Sequence, residues 1–435
     1  MSLNPMVFQQ RRQRVLEQMG EGVMVIATAP EAVRNRDAHY PYRFDSYFYH
    51  LTGFTEPEAV LVLVAGQPQQ QVLFCREKNE EREIWDGFRH GPEAAREAFG
   101  FDAAHAVAEL DELLPQLLEN QPVLHYVIGR DPVWDTQVLG WLNAVRAKAR
   151  SGVRAPDRLI DARRLLDELR LLKDGHELSM MRRAAEISAA AHVAAMRATR
   201  PGRFEHEIEA ELLYAFRRQG AEAPAYTSIV AGGANACVLH YVFNNQPLKA
   251  GDLLLIDAGA EYRGYAADIT RTFPVDGRFS GAQRDAYEIV LAAQAAAIAQ
   301  VAPGRPWQAP HDAAVKVLAQ GMVDLGLLQG EVGGLIESEA YKRFYMHRTG
   351  HWLGLDVHDA GEYKQAGDWR PLQSGMTLTV EPGLYIRPAD DVPEALWHIG
   401  IRIEDDALVT EAGCEILTAG APKTVAEIEG VMRHD

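Results

Sequence analysis

Cysteine is scarce in this chain, with only three in 435 residues. Cys75, Cys237 and Cys414 are too few and too far apart for a disulfide framework or a CxxC zinc site. The apolar run at 22–26 is also too short to form the core of a signal peptide. These absences indicate a reducing compartment, and we expect a cytoplasmic protein.

Basic residues are in the minority, since 44 Lys and Arg against 61 Asp and Glu give a formal net charge of −17. This surplus of negative charge opposes binding to nucleic acids and acidic lipids, and no basic stripe offsets it. The longest apolar helical stretch, at 289–302, falls short of the ~20 residues that span a bilayer. We therefore expect neither a nucleic-acid partner nor a membrane partner.

Residues that form hydrophobic cores are abundant instead. The chain is 47% apolar and 24% charged, which is typical of a soluble globular protein and excludes a disordered or fibrous one. At roughly 100–200 residues per domain, the length predicts two or three domains.

Residues 1–172 alternate short β-rich runs with helical patterns, which predicts a self-contained α/β domain. Strands are expected at 23–27, 59–64, 71–74 and 123–128, and helices at 8–19, 110–118 and 133–149. A turn-rich stretch at 150–157 precedes a last helical pattern at 161–172, and we place the domain boundary after residue 172.

Residues 173–435 begin with two long amphipathic helices, followed by strand-like runs and two further helices. The helices are expected at 177–199, 204–218, 282–301 and 312–325, and the strands at 253–258, 266–274, 376–380 and 399–409. This segregation predicts an α+β domain whose helices pack on one face of a sheet.

Two aspartates lie in the first strand-like runs of this second domain. Asp257 ends an apolar run, where an acid is costly unless it is paired or binds a metal. A hairpin centred between Tyr262 and Arg263 would make Asp257 and Asp268 direct cross-strand neighbours, about 4.5–5.5 Å apart at Cβ. Carboxylates this close need a cation or a raised pKa. Pairing with Arg263 or Arg271 is the plain alternative to a metal.

Imidazoles and a further acid follow in two later segments. His347, His351 and His358 fall within twelve residues that also contain two glycines, and clustered histidines of this kind are less often structural than a lone one. Glu381 comes directly after the strand expected at 376–380. Each of these side chains is a candidate metal ligand or catalytic group.

The run at 399–409 alternates apolar and polar residues, which places Arg402 and Glu404 on one strand face. With the three acids already named, four carboxylates carry a charge of −4 that two divalent cations would neutralise. A pair of cations ~3.5–4 Å apart, bridged by carboxylates and a hydroxide, suits this set. Oxygen-rich ligands with one imidazole favour Mn²⁺, with Co²⁺ or Mg²⁺ as alternatives. Spacing alone leaves open whether these distant segments converge.

The motifs that contain these residues resemble those of the pita-bread metallopeptidases, and the chain as a whole resembles the aminopeptidase P family. The motifs lie at 255–260, 265–273, 347–359, 379–385 and 400–405, with further similar stretches at 40–43, 49–59 and 83–85 in the N-terminal region. This resemblance implies a C-terminal pita-bread domain preceded by a smaller α/β N-terminal domain.

The resemblance also implies a dinuclear metal site, usually of Mn²⁺, that hydrolyses the Xaa-Pro bond at the N-terminus of peptides. The ligands that the resemblance implies are Asp257, Asp268, His351, Glu381 and Glu404. Asp268 and Glu404 would bridge the two metals. His240 would position the scissile carbonyl, His358 would stabilise the oxyanion, and His347 would face the proline side.

The mechanism is then a hypothesis in which a hydroxide held between two cations attacks the carbonyl before the prolyl nitrogen. Glu381 would move the proton of that hydroxide to the leaving nitrogen. Arg402 would pair with Asp257 and Tyr385 and so orient a metal ligand.

Three alternatives remain open at this stage. Prolidase has the same ligands but cleaves Xaa-Pro dipeptides, and metal-free pita-bread proteins act on creatine or serve as binding modules, although those lose ligands that are all present here. Cys237 lies near His240, but it is better explained as a core residue than as a nucleophile. We also expect a homo-oligomer, a dimer or a tetramer, in which Trp85 is a candidate to reach a neighbouring subunit's site.

Overall fold

The computed structural model describes residues 4–66 and 68–433. The chain divides into two compact units, one ending at Leu169 and one beginning at Arg170. The sequence-based boundary at 172 lies three residues beyond this division. None of the helices in the described residues is both long and apolar enough to cross a membrane.

The first unit alternates helices and strands along the chain. Its helices are α1 (Pro5–Met19), α2 (Ser46–Thr52), α3 (Glu80–Asp86), α4 (Gly91–Phe99), α5 (Leu110–Leu118), α6 (Pro132–Arg146) and α7 (Arg163–Leu171), the last of which ends just past the division. Its strands are β1 (Gly22–Ala27), β2 (Val33–Asn35), β3 (Ala38–His39), β4 (Val60–Ala65), β5 (Gln70–Cys75), β6 (Ala103–Ala106), β7 (Val123–Tyr126) and β8 (Arg158–Asp161).

Six of these strands form one mixed sheet in the order β6-β5-β4-β1-β7-β8. Strand β1 is antiparallel to β4 and parallel to β7. Successive β1 residues face opposite sides, so that Met24 packs with apolar residues of α1, α2 and α4, and Val25 packs with those of α5 and α6. Because helices cover both faces, β1 and β4 are almost wholly apolar, as the predicted α/β domain requires.

The second unit contains more, and shorter, strands. Its helices are α8 (Gly175–Ala198), α9 (Glu205–Arg218), α10 (Gly281–Ile298), α11 (Ala309–Asp324), α12 (Val332–Glu337) and α13 (Val425–Val431). Its strands are β9 (Ala223–Pro224), β10 (Ile229–Gly232), β11 (Leu253–Asp257), β12 (Ala260–Tyr262), β13 (Tyr265–Ala266), β14 (Thr270–Pro274), β15 (Lys364–Gln365), β16 (Asp368–Trp369), β17 (Thr377–Val380), β18 (Gly383–Ile386), β19 (Ile399–Arg402), β20 (Asp405–Thr410) and β21 (Gly413–Ile416).

The antiparallel sheets of this unit share one large apolar core with the helices. The strand orders are β10-β11-β14, β17-β20-β21 and β18-β19. Leu254 and Ile256 of β11 join the core formed with α8 to α11, whereas Leu255 between them packs with Tyr241 on the other face. The helices therefore cover one face of this sheet, in agreement with the predicted α+β domain.

Two strands that the sequence predicted as continuous are interrupted. The run predicted at 266–274 is divided into β13 and β14, and the run predicted at 399–409 is divided into β19 and β20. Asp268 lies in the first interruption and Glu404 in the second. The backbone N–H of Asp268 donates to Asp406 at 3.1 Å, and Arg271 donates to the carbonyl of Glu404 at 2.5 Å. These bonds replace the partners that a regular strand would supply.

The predicted register of Asp257 and Asp268 is wrong by two residues. The turn that joins β12 and β13 is formed by Arg263 and Gly264, whose φ values of 53° and 80° are those of a tight two-residue hairpin turn. The hairpin is therefore centred after Arg263 and not before it, and Asp257 pairs with Thr270. Asp268 is a diagonal neighbour of Asp257, still close enough to share a site.

Candidate metal centre and active site

All five predicted metal ligands line one cavity of about 440 Å³ in the second unit. Four of them come from a strand end or a strand interruption: Asp257 ends β11, Asp268 and Glu404 lie in the interruptions, and Glu381 follows β17. The fifth, His351, lies in the loop beside β17. Side chains at such positions can converge, because they are not held to the alternating directions of a regular strand.

The loop that carries His351 is held against β17 by close backbone contacts. The N–H of Glu381 donates to the Thr349 carbonyl at 2.8 Å, and the N–H of Thr379 donates to the His351 carbonyl at 2.9 Å. Gly350 lies between these bonds, and a Cβ there would approach the Thr379 carbonyl oxygen to 2.1 Å. Only glycine permits this approach, and as a result His351 lies beside Glu381.

The ligand atoms of Asp268, His351 and Glu404 lie within 4.8 Å of one another, a spacing at which they can share a cation. Nε2 of His351 is 3.5 Å from Asp268 Oδ2 and 3.9 Å from Glu381 Oε1. Its Nδ1 is 2.9 Å from the Trp352 carbonyl, to which it donates. That bond orients the ring so that Nε2 faces the carboxylates, as a metal-binding histidine requires.

Tyr226 was not predicted as a site residue, yet it contacts two of the ligands. Its hydroxyl lies 2.6 Å from Asp257 Oδ1 and 2.5 Å from Asp268 Oδ1. A phenol has a single proton, so it can donate to only one of these carboxylates at a time. No motif in the sequence marks this tyrosine, which lies 31 and 42 residues from its partners.

Burial dominates the electrostatics of the cluster. Desolvation raises the pKa of Glu381 to about 7 and that of Glu404 well above its usual value, and the neighbouring carboxylates add to both effects. Burial also raises the pKa of Asp257, against the charge of Arg402. For Asp268, burial acts in the same direction, but the hydrogen bond and charge of His351 outweigh it and the pKa falls. The four acids can therefore all be ionised only where positive charge compensates them.

Arg402 supplies only part of that charge. Its Nη2 lies 2.6 Å from Asp257 Oδ2, and its Nη1 donates to the Tyr385 hydroxyl at 3.0 Å, as the strand-face argument anticipated. Arg271, the alternative partner, is fully buried against Asp405 instead. Arg402 and a protonated His351 together carry two positive charges, which do not balance four carboxylates. The oxygen and imidazole donors form a set that hard divalent cations prefer. The residues present thus fit a two-cation site.

The predicted catalytic histidines also line this cavity. Nε2 of His347 lies 2.8 Å from the Tyr385 hydroxyl, and burial lowers the pKa of His347 to about 3, so the ring is neutral. The ring of His358 lies 4.3 Å from that of His351. His240 reaches the cavity from the segment that follows β10. The structure thus brings all ten predicted site residues together.

Two further residues support the ligands from positions that sequence reasoning missed. Thr270 Oγ1 donates to Glu404 Oε2 at 2.6 Å and accepts from Arg402 Nε at 3.1 Å. Asp406 accepts the N–H of Asp268. The only available signal was that Thr270 and Asp406 lie two residues from predicted ligands.

Family comparisons agree with this geometry. Residues 179–411 match Metallopeptidase family M24, and residues 8–125 match Aminopeptidase P, N-terminal domain. Xaa-Pro aminopeptidases of Haemophilus influenzae and Escherichia coli are each 46% identical to the chain over 98% of its length, and the match covers 96% and 97% of those proteins.

Solved structures show the same fold. Aminopeptidase PepP of Pseudomonas aeruginosa matches with a TM-score of 0.97 and 50% identity over 99% of this chain and 98% of its own. Zinc-substituted aminopeptidase P of Escherichia coli, solved with product, matches with a TM-score of 0.97 and 46% identity over 99% of both chains. The predicted pita-bread fold is confirmed, and the chain belongs to metallopeptidase family M24, with an aminopeptidase P N-terminal domain ahead of its M24 domain.

Proposed function

We propose that the protein is a Xaa-Pro aminopeptidase, which removes the first residue from peptides whose second residue is proline. The observation that carries this proposal is the convergence of five metal-ligand side chains on one cavity, in a chain that is 46% identical to Xaa-Pro aminopeptidases along almost its whole length. The alternative of a metal-free binding module is disfavoured because all five ligand positions are retained.

Two cations would be held by Asp257, Asp268, His351, Glu381 and Glu404, of which Asp268 and Glu404 would serve both. When bound, two divalent cations lower the pKa of water and polarise the scissile carbonyl, and Mn²⁺ is the metal that this oxygen-rich set favours. Four of the five donors are carboxylates and one is an imidazole, which supports a hard cation.

Glu381 is the proposed proton carrier. It lies between two imidazoles, with Oε1 3.9 Å from His351 Nε2 and Oε2 3.7 Å from His347 Nδ1, so that it reaches both the metal ligands and the proline side of the cavity. A carboxylate in this place can take a proton from the attacking water and pass it to the prolyl nitrogen as the bond breaks.

The histidines are proposed to hold the substrate. His358 would donate to the oxyanion, and His240 would orient the scissile carbonyl. His347 would contact the proline. Because His347 is neutral and its Nδ1 donates to the Arg348 carbonyl, its Nε2 accepts from Tyr385, which in turn accepts from Arg402. This chain of bonds fixes the orientation of the His347 ring.

We also propose a cellular location and an oligomeric state. The thiols of Cys75 and Cys237 are buried and unpaired, in keeping with a reducing cytoplasm. Helix α3 exposes Ile84 and Trp85, with 82% and 80% of their surface accessible, which supports a homo-oligomer in which Trp85 reaches a second subunit.

A panel of three peptides tests the proposed function: a tripeptide with proline second, the same tripeptide with alanine second, and the Xaa-Pro dipeptide. With added Mn²⁺ we expect hydrolysis of the first, little of the second, and release of the N-terminal residue. Cleavage of the dipeptide alone would identify a prolidase instead. No hydrolysis by protein shown to contain metal would reject the peptidase assignment.

A further inference from the structure

Glu205, the first residue of α9, is a fully buried carboxylate. Its two oxygens accept four hydrogen bonds, all from residues 232–246. Oε1 accepts from Gly232 N at 2.9 Å and Asn235 Nδ2 at 2.9 Å, and Oε2 accepts from Tyr241 OH at 2.8 Å and Gln246 N at 2.9 Å. None of these donors carries a charge.

Residues 232–246, which we call the His240 loop, form one wall of the candidate active site. Leu239, His240 and Val242 line the cavity. The His240 ring is exposed, so its position depends on the backbone that carries it. Its neighbour Tyr241 is buried and is one of the four donors to Glu205.

The His240 loop has little regular structure of its own. Residues 233–237 form a short 3-10 turn, and only isolated turns follow up to residue 246. Glu205 contacts both ends of the loop, through Gly232 and Gln246, and its middle, through Tyr241. The carboxylate therefore accepts hydrogen bonds from backbone N–H groups that a neighbouring strand would otherwise accept.

Only a carboxylate can make this set of contacts. A buried carboxylate without a cation is costly unless its lone pairs are satisfied, and four donors satisfy them here. A glutamine has one oxygen and one NH₂ group. The Asn235 amide or the Tyr241 hydroxyl could turn to accept from that NH₂, but the backbone N–H of Gly232 or of Gln246 could not, so one of the four donors would face another donor. A glutamate at this position therefore restricts the geometry of the loop more than a glutamine, which has the same size.

We propose that Glu205 is a positioning residue for the peptidase reaction: by holding the His240 loop at both ends and at Tyr241, it sets His240 against the scissile carbonyl. This inference rests on the proposed function. Glu205 touches neither the predicted metal ligands nor the substrate, and it acts through His240.

The variant Glu205→Gln tests this role, with Glu209→Gln on the same helix as the matched control. We expect Glu205→Gln to lower kcat about tenfold with a smaller change in KM, because the carbonyl is held less well in the transition state. Amide hydrogen exchange should become faster at Gly232 and Gln246. The control should change neither kcat nor exchange.

A double-mutant cycle with His240→Ala separates positioning from general loss of structure. If Glu205 acts through His240, Glu205→Gln should cost almost nothing in the His240→Ala background, which corresponds to a coupling of about tenfold. Tyr241→Phe removes one of the four bonds and keeps the ring, so it should show a smaller loss that also disappears in the His240→Ala background, and this test remains available if Glu205→Gln does not fold.

The outcomes are distinguishable. A loss that vanishes in the His240→Ala background supports the positioning role. Equal losses in both backgrounds, or no loss from either variant, overturn it while leaving the Xaa-Pro aminopeptidase activity intact. Absence of hydrolysis by the metal-loaded unmodified chain overturns the proposed function, and the positioning role with it.

Discussion

Replacement of Arg402 by methionine tests how far the metal centre depends on one buried cation. The guanidinium donates to Asp257 at 2.6 Å, to Tyr385 at 3.0 Å and to Thr270 at 3.1 Å. Methionine fills much of the same volume but donates nothing, so three acceptors lose their donor. Residues that orient a metal ligand in this way contribute about 10- to 100-fold to metal affinity, or about 1.4–2.8 kcal/mol.

The loss should also depend on pH. Burial raises the pKa of Asp257 and the charge of Arg402 lowers it, so removal of the guanidinium raises that pKa further. A carboxylate must be deprotonated to bind a cation, and protons therefore compete more strongly with the metal in the variant. The difference in affinity between the two proteins should grow as the pH falls.

Calorimetric titration of metal-stripped protein with Mn²⁺, at neutral and at mildly acidic pH, measures both effects. Arg402→Lys is the matched control, because lysine keeps the charge but cannot reach all three acceptors, and we expect an intermediate affinity. Equal metal affinities for the unmodified protein and Arg402→Met at both pH values, with a reduced kcat, would refute the argument. Arg402 would then act on the substrate and not on the ligand.

Three further perturbations test other parts of the structure. Glu381→Gln should lower kcat by at least about 100-fold, since it removes the proton carrier; turnover at saturating Mn²⁺ measures this, and near-normal turnover with both metals bound would show the assignment wrong. Gly259→Ala should destabilise the protein by about 1–3 kcal/mol, because the added Cβ would lie 1.7 Å from the Ala267 carbonyl oxygen. Gly281→Ala is the control and should not destabilise the protein, because no atom lies within 4 Å of its added Cβ. Thermal unfolding of the two variants measures the difference. Chelation should lower Tm, and Mn²⁺ at about 100 times its Kd should restore about 2.7 kcal/mol of unfolding free energy for each cation bound. An unchanged Tm would contradict a structural contribution from the metal.

The sequence predicted the long elements and the buried strands well. Strand β4 is six consecutive buried apolar residues, and the predicted bounds of α5 are those observed. Helices α2 and α3 were not predicted, because seven residues give too few turns for a 3.6-residue period to emerge, and the nine-residue α4 was not predicted either. The capping residues and glycines at the ends of these helices can be recognised as helix ends only after the helix itself is known.

The site was predicted in its composition but not in its detailed geometry. Nine of the ten predicted residues line one cavity, and the tenth, Tyr385, contacts two of them. The register of Asp257 was wrong because the turn uses a positive φ at Arg263, which a non-glycine residue adopts only infrequently. Tyr226 and Thr270 were missed because their partners lie 31 to 134 residues away along the chain. Local patterns carry no information about such contacts.

The two strand interruptions explain why the ligands depend on residues that never touch a metal. To aim its carboxylate at the cavity, Asp268 leaves the strand ladder, and its buried N–H would cost about 1–3 kcal/mol if it stayed unpaired. Asp406 supplies the missing acceptor, while Arg271 supplies the missing donor for the carbonyl of Glu404. The N–H of Glu404 in turn donates to the Thr270 carbonyl at 3.0 Å, so each interruption is held by residues next to the other. The positions of Asp268 and Glu404 are therefore coupled through these hydrogen bonds. A substitution at Asp406 or Arg271 should displace both ligands.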